Sequence, residues 1–209
     1  GDVYKRQVLT TPEYQPSVKI DMKKKLFPDD YLYLNDTLCI AKIIEPIGNN
    51  DYKPSVARWN MATGEINPMP YEYPDLKKVR FIYAASAEHQ LYVQCYTQYD
   101  LMTICDFNGN LKCNIYGPKW VNEKTQTQHY SLGVEFCGDK ILALYSGGDH
   151  RTDAYYPTKF LVFDLNGNYL KTLETGYMIT DFCYDKENNR LIINLNDEIQ
   201  FAYLDLEGI

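Results

Sequence analysis

Four short segments carry the apolar, β-branched and aromatic residues of buried strands: Leu38 to Ile44, Leu91 to Tyr96, Ile141 to Tyr145 and Leu191 to Leu195. None shows helical spacing, and no long segment of the chain reads as a helix. Each strand follows a polar turn with an acidic residue, Asp36, Glu88, Asp139 and Asp185 in order. A turn between two apolar runs predicts a hairpin.

A second pattern follows each hairpin. Cys105-Asp106-Phe107-Asn108-Gly109, Phe163-Asp164-Leu165-Asn166-Gly167 and Leu204-Asp205-Leu206-Glu207-Gly208 share the form apolar-Asp-apolar-polar-Gly, and Trp59 to Gly64 is a looser copy. The glycines of successive copies, from Gly64 to Gly208, are 45, 58 and 41 residues apart. That spacing brackets one four-stranded propeller blade. Each unit then reads strand, acidic turn, strand, loop, strand, Asp-x-Asn-Gly turn, strand, which is the order of a blade built outward from a central channel. The expected fold is an all-β β-propeller with about four blade units, Pro28 to Pro70, Val79 to Pro118, Tyr130 to Gly176 and Tyr177 to Ile209. The last unit stops at its marker turn without a fourth strand.

The heptapeptide Gly1 to Gln7 has no Met and no leader pattern, and reads as an adaptor-derived scar outside the fold. Residues 8–27 read as an N-terminal strand or the remnant of a preceding blade, with Val18 to Met22 as the candidate strand. Four units and this start together predict a fragment of a six-bladed ring.

The run Phe163 to Leu170 and the closing unit Ile179 to Gly208 resemble the TolB-like six-bladed β-propellers of Bacteroidetes. The resemblance covers Pro28 to the C-terminus. It implies an exported protein, periplasmic or at the outer membrane or cell surface, often a lipoprotein, with any lipid anchor upstream of the visible chain. The family supplies no catalytic motif to carry over. The chain departs from it in showing four units where six are expected and in lacking an export signal.

Composition narrows the partners. Against 21 Lys+Arg the chain has 28 Asp+Glu, for a net charge of -7, and its longest basic run is Lys23-Lys24-Lys25. This excludes a nucleic-acid groove from the expected functions. No stretch approaches the ~18 consecutive apolar residues of a membrane-spanning helix. Six cysteines, mostly inside apolar runs and without a C-x-x-C pair, read as free buried thiols.

Asp106 to Asn110 and Asp164 to Asn168 cluster oxygen ligands, yet they lack the Gly and Glu spacing of an EF-hand loop. Asp accepting a backbone N–H two residues on, with Gly at positive φ, explains them as hairpin turns. His89, His129 and His150 form no ligand pair, and His89 is expected to be solvated in its turn. No nucleophile elbow, phosphate loop or dinucleotide fingerprint is present, so no catalytic residue, metal or cofactor is assigned. Asp29 and Asp30 are merely adjacent.

Loop length is asymmetric. Turns between first and second strands are tight, whereas Glu45 to Pro54, Pro118 to His129 and Ser146 to Pro157 read as long loops on the opposite face, where function concentrates. The candidate ligand-binding residues there are Tyr52, Lys53, Tyr99, Trp120, His129, Asp149, His150, Arg151, Asp153 and Tyr155, with Lys124 and Tyr156 beside them. Aromatic faces next to hydrogen-bonding groups suit a glycan, peptide or protein partner. The expected function is an exported binding or scaffolding module. The rival is a propeller hydrolase or lyase acting on a carbohydrate or lactone-like substrate near the channel. Gly147 to Asp153 is the most reactive-looking stretch, with a mobile solvated loop as its competing reading.

Overall fold

A computed structural model of the chain describes residues 8–10, 15–17, 26–48, 51–76 and 79–208. The expectations for Gly1 to Gln7 and Val18 to Met22 lie outside these residues. Strands β1 (Val8–Thr10) and β2 (Gln15–Ser17) pair antiparallel. The chain divides into two compact units, Gly1–Glu72 and Tyr73–Ile209. No helix among the described residues is long and apolar enough to cross a membrane.

In the first unit, β3 (Phe27–Tyr33), β4 (Leu38–Gly48), β5 (Asp51–Asn60) and β6 (Glu65–Pro68) form one antiparallel sheet in chain order. Cys39, Ala41, Ile43, Ala57, Trp59, Met61 and Ile66 pack together as its core. The expected loop from Glu45 to Pro54 is instead a two-stranded ribbon, with Glu45 opposite Lys53 and Pro46 opposite Tyr52. Its polar and proline residues suggest a loop because the ribbon is solvated, but its backbone groups pair across the hairpin.

The second unit holds three sheets, each in chain order: β7 (Phe81–Ser86) to β10 (Leu111–Tyr116) through β8 (Leu91–Tyr96) and β9 (Leu101–Asp106); β11 (Thr127–Cys137), β12 (Lys140–Asp149), β13 (Lys159–Asp164) and β14 (Tyr169–Glu174); and β15 (Ile179–Asp185), β16 (Arg190–Leu195) and β17 (Phe201–Asp205). The first strand β11 lies beside β7 on one side and β15 on the other. The middle sheet is therefore covered on both faces. Ile141, Ala143 and Tyr145 of β12 join Val93, Cys95, Met102 and Ile104, while Leu142 and Leu144 join Phe182, Leu191 and Ile193. Burial on two faces explains why β8 and β12 read as continuous apolar runs rather than alternating ones. A fully buried side chain such as Phe160 contributes about 1.5–3 kcal/mol.

The marker turns are built as their residues require. Asp106 Oδ1 accepts the N–H groups of Asn108 (2.8 Å) and Asn110 (2.9 Å), and Asp164 Oδ1 accepts those of Asn166 and Asn168 (2.8 Å each). Asn110 and Asn168 side chains donate to the second carboxylate oxygen. Gly109 and Gly167 follow at φ 79° and 86°, where a Cβ is strained. Both oxygens of each Asp are thus held within its own turn.

Two further expectations need correction. His89 is not simply solvated: its Nε2 lies 2.8 Å from the Gly138 carbonyl of the next sheet, with its ring against Phe136. Four of the six free cysteines are buried, and burial pushes the Cys39 and Cys105 thiols up to about 11. Cys183, however, is exposed and Cys113 half-buried. Period-two alternation puts Phe182 in the core and turns its neighbour Cys183 outward.

Candidate functional site

Tyr52 and Lys53 lie on the exposed ribbon of the first unit, where Lys53 Nζ pairs with Glu72 Oε2 at 2.6 Å. The other candidates lie in the second unit, at the end where β8 hands over to β9, β10 to β11 and β12 to β13. Backbone and side-chain bonds gather these loops. Thr125 donates its N–H and hydroxyl to Gln98 O (3.3 and 3.1 Å), His150 N–H reaches Gln126 O (3.2 Å), and Lys119 Nζ reaches Gly147 O (3.2 Å).

An aromatic corner forms at this end. Trp120 has the rings of Tyr116, Tyr73 and Tyr99 at centroid distances of 5.1, 5.7 and 6.4 Å. The Tyr73 and Tyr116 hydroxyls are 3.3 Å apart. Trp120 is half-buried and Tyr116 half-exposed, so apolar ring surface meets solvent beside polar groups, as sugar or peptide recognition requires. Tyr99 itself is buried, because the tight β8–β9 loop folds it under Trp120.

Beneath the corner lies a polar cluster. The side chains of Asp100 and His129 are 0% and 1% exposed, with His129 Nδ1 3.7 Å from Asp100 Oδ1. The Asp100 backbone carbonyl accepts the Gly117 N–H (2.8 Å), and its Oδ2 accepts the Lys119 N–H (2.9 Å) and the Tyr145 hydroxyl (3.3 Å). A Cβ on Gly117 would overlap the Asp100 carboxylate, so only glycine admits this approach. Tyr145 Oη also lies 3.3 Å from His129 Nδ1. Burial pushes the His129 imidazole below its usual range; the Asp100 carboxylate opposes this shift and the Lys119 ammonium reinforces it. Asp100 Oδ1 and His129 Nε2 have no hydrogen-bond partner. Sealed from solvent, this pair supports the loops above it and does not face a ligand directly.

The Ser146 to Pro157 stretch differs from the expected loop. β12 continues to Asp149, paired with Thr127, and a short 3-10 turn covers Asp153–Tyr155. Ser146 Oγ donates to Ala154 O (2.6 Å) and accepts the Gly148 N–H (3.0 Å). Arg151 grips both oxygens of Asp149, at 3.0 and 2.6 Å, and holds that carboxyl well below the usual range. His150 Nδ1 turns to Gln126 O at 2.9 Å. These charged groups are engaged with one another and brace the loop. Tyr155 and Tyr156 stack at 4.2 Å, while Lys124 and Asp153 are exposed. Among the described residues no group of three or more His, Cys, Asp and Glu is arranged to hold a metal ion.

The structure brings Tyr99, Trp120 and His129 together. It adds Tyr73, Asp100, Tyr116, Lys119 and Tyr145, which the sequence reading did not single out. Asp100 had one available signal, a lone carboxylate between Tyr99 and Leu101 just ahead of an apolar strand.

No family model matches the chain, and no curated protein matches it. Solved structures do. The chain is similar to hydrazine synthase of Kuenenia stuttgartiensis (12% identity, TM-score 0.57), with 86% of this chain and 46% of that one covered. It is similar to the extracellular domain of a B. thetaiotaomicron protein described as a one component system (10%, 0.56), over 86% of this chain and 20% of that one. A gluconolactonase of Xanthomonas campestris matches at 16% identity and TM-score 0.51, over 80% of this chain and 54% of that one. The chain thus spans about half or less of the length of these structures. At such identities the likeness shows the fold, an all-β arrangement of propeller blades.

Proposed function

We propose that the protein is a propeller binding module that takes a carbohydrate at the loop end of its second unit. The supporting observation is the Trp120 corner, a half-buried indole flanked by Tyr73, Tyr99 and Tyr116 within 6.4 Å, beside the half-exposed Tyr116. Sugar C–H faces stack on such rings while ring hydroxyls meet the tyrosine hydroxyls. Lys119, Lys124 and the stacked Tyr155–Tyr156 pair border the same end and extend the contact surface. The proposal includes membership of the TolB-like group and export to the periplasm or cell surface, supported by the marker repeats.

Calorimetric titration with neutral and acidic oligosaccharides tests the reading. Saturable binding is expected, weakened about tenfold in Trp120→Ala by loss of about 1.4 kcal/mol of ring contact. Binding of short peptides instead of glycans would reassign the ligand class. Turnover of a lactone or glycan would replace the binding module with the hydrolase.

A further inference from the structure

The loop that carries Trp120 is fastened to a carboxylate that no ligand can reach. Gly117 N–H binds the Asp100 carbonyl, Lys119 N–H binds Asp100 Oδ2, and Trp120 N–H binds the Gly117 carbonyl at 3.1 Å. Each bond fixes a residue within three positions of the indole. The Lys119 bond is the charge-assisted one of the three, and such bonds are the strong ones; its acceptor is 0% exposed.

The groups that face the His129 ring are the Asp100 carboxylate from the β8–β9 loop, the Lys119 ammonium from the β10–β11 crossing and the Tyr145 hydroxyl from β12. Tyr145 gives its hydrogen to Asp100, so its oxygen is the acceptor for His129 Nδ1–H. That assigns the neutral tautomer and leaves Nε2 as the bare nitrogen. Nε2 is buried without a partner. A proton added there creates a cation beside Lys119 with nothing to accept its N–H, and the carboxylate facing it is Asp100. The imidazolium relaxes by closing the 3.7 Å gap to Asp100 Oδ1, the oxygen without a partner; the carboxylate is rigid, so turning Oδ1 toward the ring swings Oδ2 away from the Lys119 N–H and the Tyr145 hydroxyl.

We propose that Asp100 is the positioning residue of the Trp120 site, and that proton uptake by His129 competes for its carboxylate and releases the loop. The site is then ordered at neutral pH and loosened by acid. Its use in ligand release rests on the binding function proposed above, but the loop transition does not.

Fluorine NMR of the full chain labelled with fluorotryptophan separates Trp120 from the core residue Trp59 without a substitution. On lowering the pH from about 7.5 to about 4.5, the Trp120 resonance is expected to shift in one step with a midpoint below the ordinary histidine value of 6.5. Its exposure to a soluble paramagnetic quencher is expected to rise at least about twofold as the loop opens. Trp59 and the far-ultraviolet circular dichroism stay constant, which separates the step from unfolding. His129→Asn retains a donor near the Nδ1 position and removes the step. Asp100→Asn keeps an acceptor for Lys119 but loses the charge, and its step is also lost. Tyr145→Phe, the mildest change, moves the midpoint. A Trp120 signal that does not respond to pH in the unsubstituted chain, or a step that survives in His129→Asn, overturns the proposal. A normal step with no glycan binding leaves the positioning role intact and refutes the carbohydrate reading; glycan binding without a step does the reverse.

Discussion

Substituting Gly117 by alanine tests the buried cluster through its tightest contact. The added Cβ would overlap the Asp100 carboxylate, so either the crossing loop or the carboxylate must move. Overpacking of a filled interior costs about 1–3 kcal/mol. If the carboxylate moves, the Lys119 N–H and Tyr145 hydroxyl lose a charged acceptor, each such bond contributing about 1.5–3 kcal/mol. The two routes are alternatives, so the expected loss is about 3 kcal/mol rather than their sum. Asp100→Ala costs about 2–4 kcal/mol by stranding the same donors, but it opens the volume that the new Cβ needs. The double variant should therefore be close to Asp100→Ala alone, with a coupling energy of about 3 kcal/mol in the favourable direction, the whole cost of the single glycine change. Urea unfolding followed by circular dichroism and tryptophan emission reads all four stabilities. A Gly117→Ala chain within about 0.5 kcal/mol of the parent, or a double variant whose losses simply add, refutes the close approach.

Other perturbations probe the frame. Glu135 is held above the ordinary carboxylate range, chiefly by burial and against the Tyr184 N–H that its Oε2 accepts at 2.9 Å; its folded state therefore loses stability as pH rises through that raised value. Glu135→Gln keeps an acceptor and should raise the thermal midpoint at pH about 8 but not at about 4, as calorimetry will show. Asp164 is held below the usual range, first by the Asn168 side chain. Its contribution is present above the ordinary carboxylate value and fades as pH falls through the lowered one, so Asp164→Asn should narrow the difference between neutral and acid stability in parallel melts. Phe201 is 68% exposed on β17, which pairs only with β16 among the described residues; lysine there should cost under about 0.5 kcal/mol and reduce self-association in sedimentation.

The blade plan was legible because repeated chemistry encodes it. Asp106 and Asp164 recur with the same Asn and Gly partners and build the same turn twice, and Leu91 to Tyr96 was bounded correctly by its own apolar run. Loop lengths were less legible. Hydrophobic patterning marks buried strands, and the ribbon Glu45 to Pro54 and the end of β12 are paired strands whose side chains meet solvent. The candidate site was legible only in part. Trp120 and His129 stood out by residue type, whereas Asp100, Gly117 and Tyr145 acquire their roles from contacts between separate loops and strands.

Those contacts depend on a feature of β11 that composition conceals. In a regular strand His129 and Ser131 would face opposite to Tyr130, and one side would meet solvent or a different layer. All three are buried, because the sheet is covered on both faces. The register with β12 shifts between Gln128 and Tyr130 and again between Tyr130 and Val134, and Leu132 lies between them at φ 67°. Such irregularities re-aim side chains beside functional sites, and here they leave Tyr130 opposite Tyr145 while His129 reaches Asp100. A leucine gives no hint of a left-handed backbone, which a glycine or asparagine would have signalled. The energy that holds Leu132 there must come from the surrounding packing, including Tyr130 against Tyr145 at 5.2 Å and Gly133 against Phe182. Support for the Trp120 loop thus extends from Asp100 through His129 into the layers between the sheets.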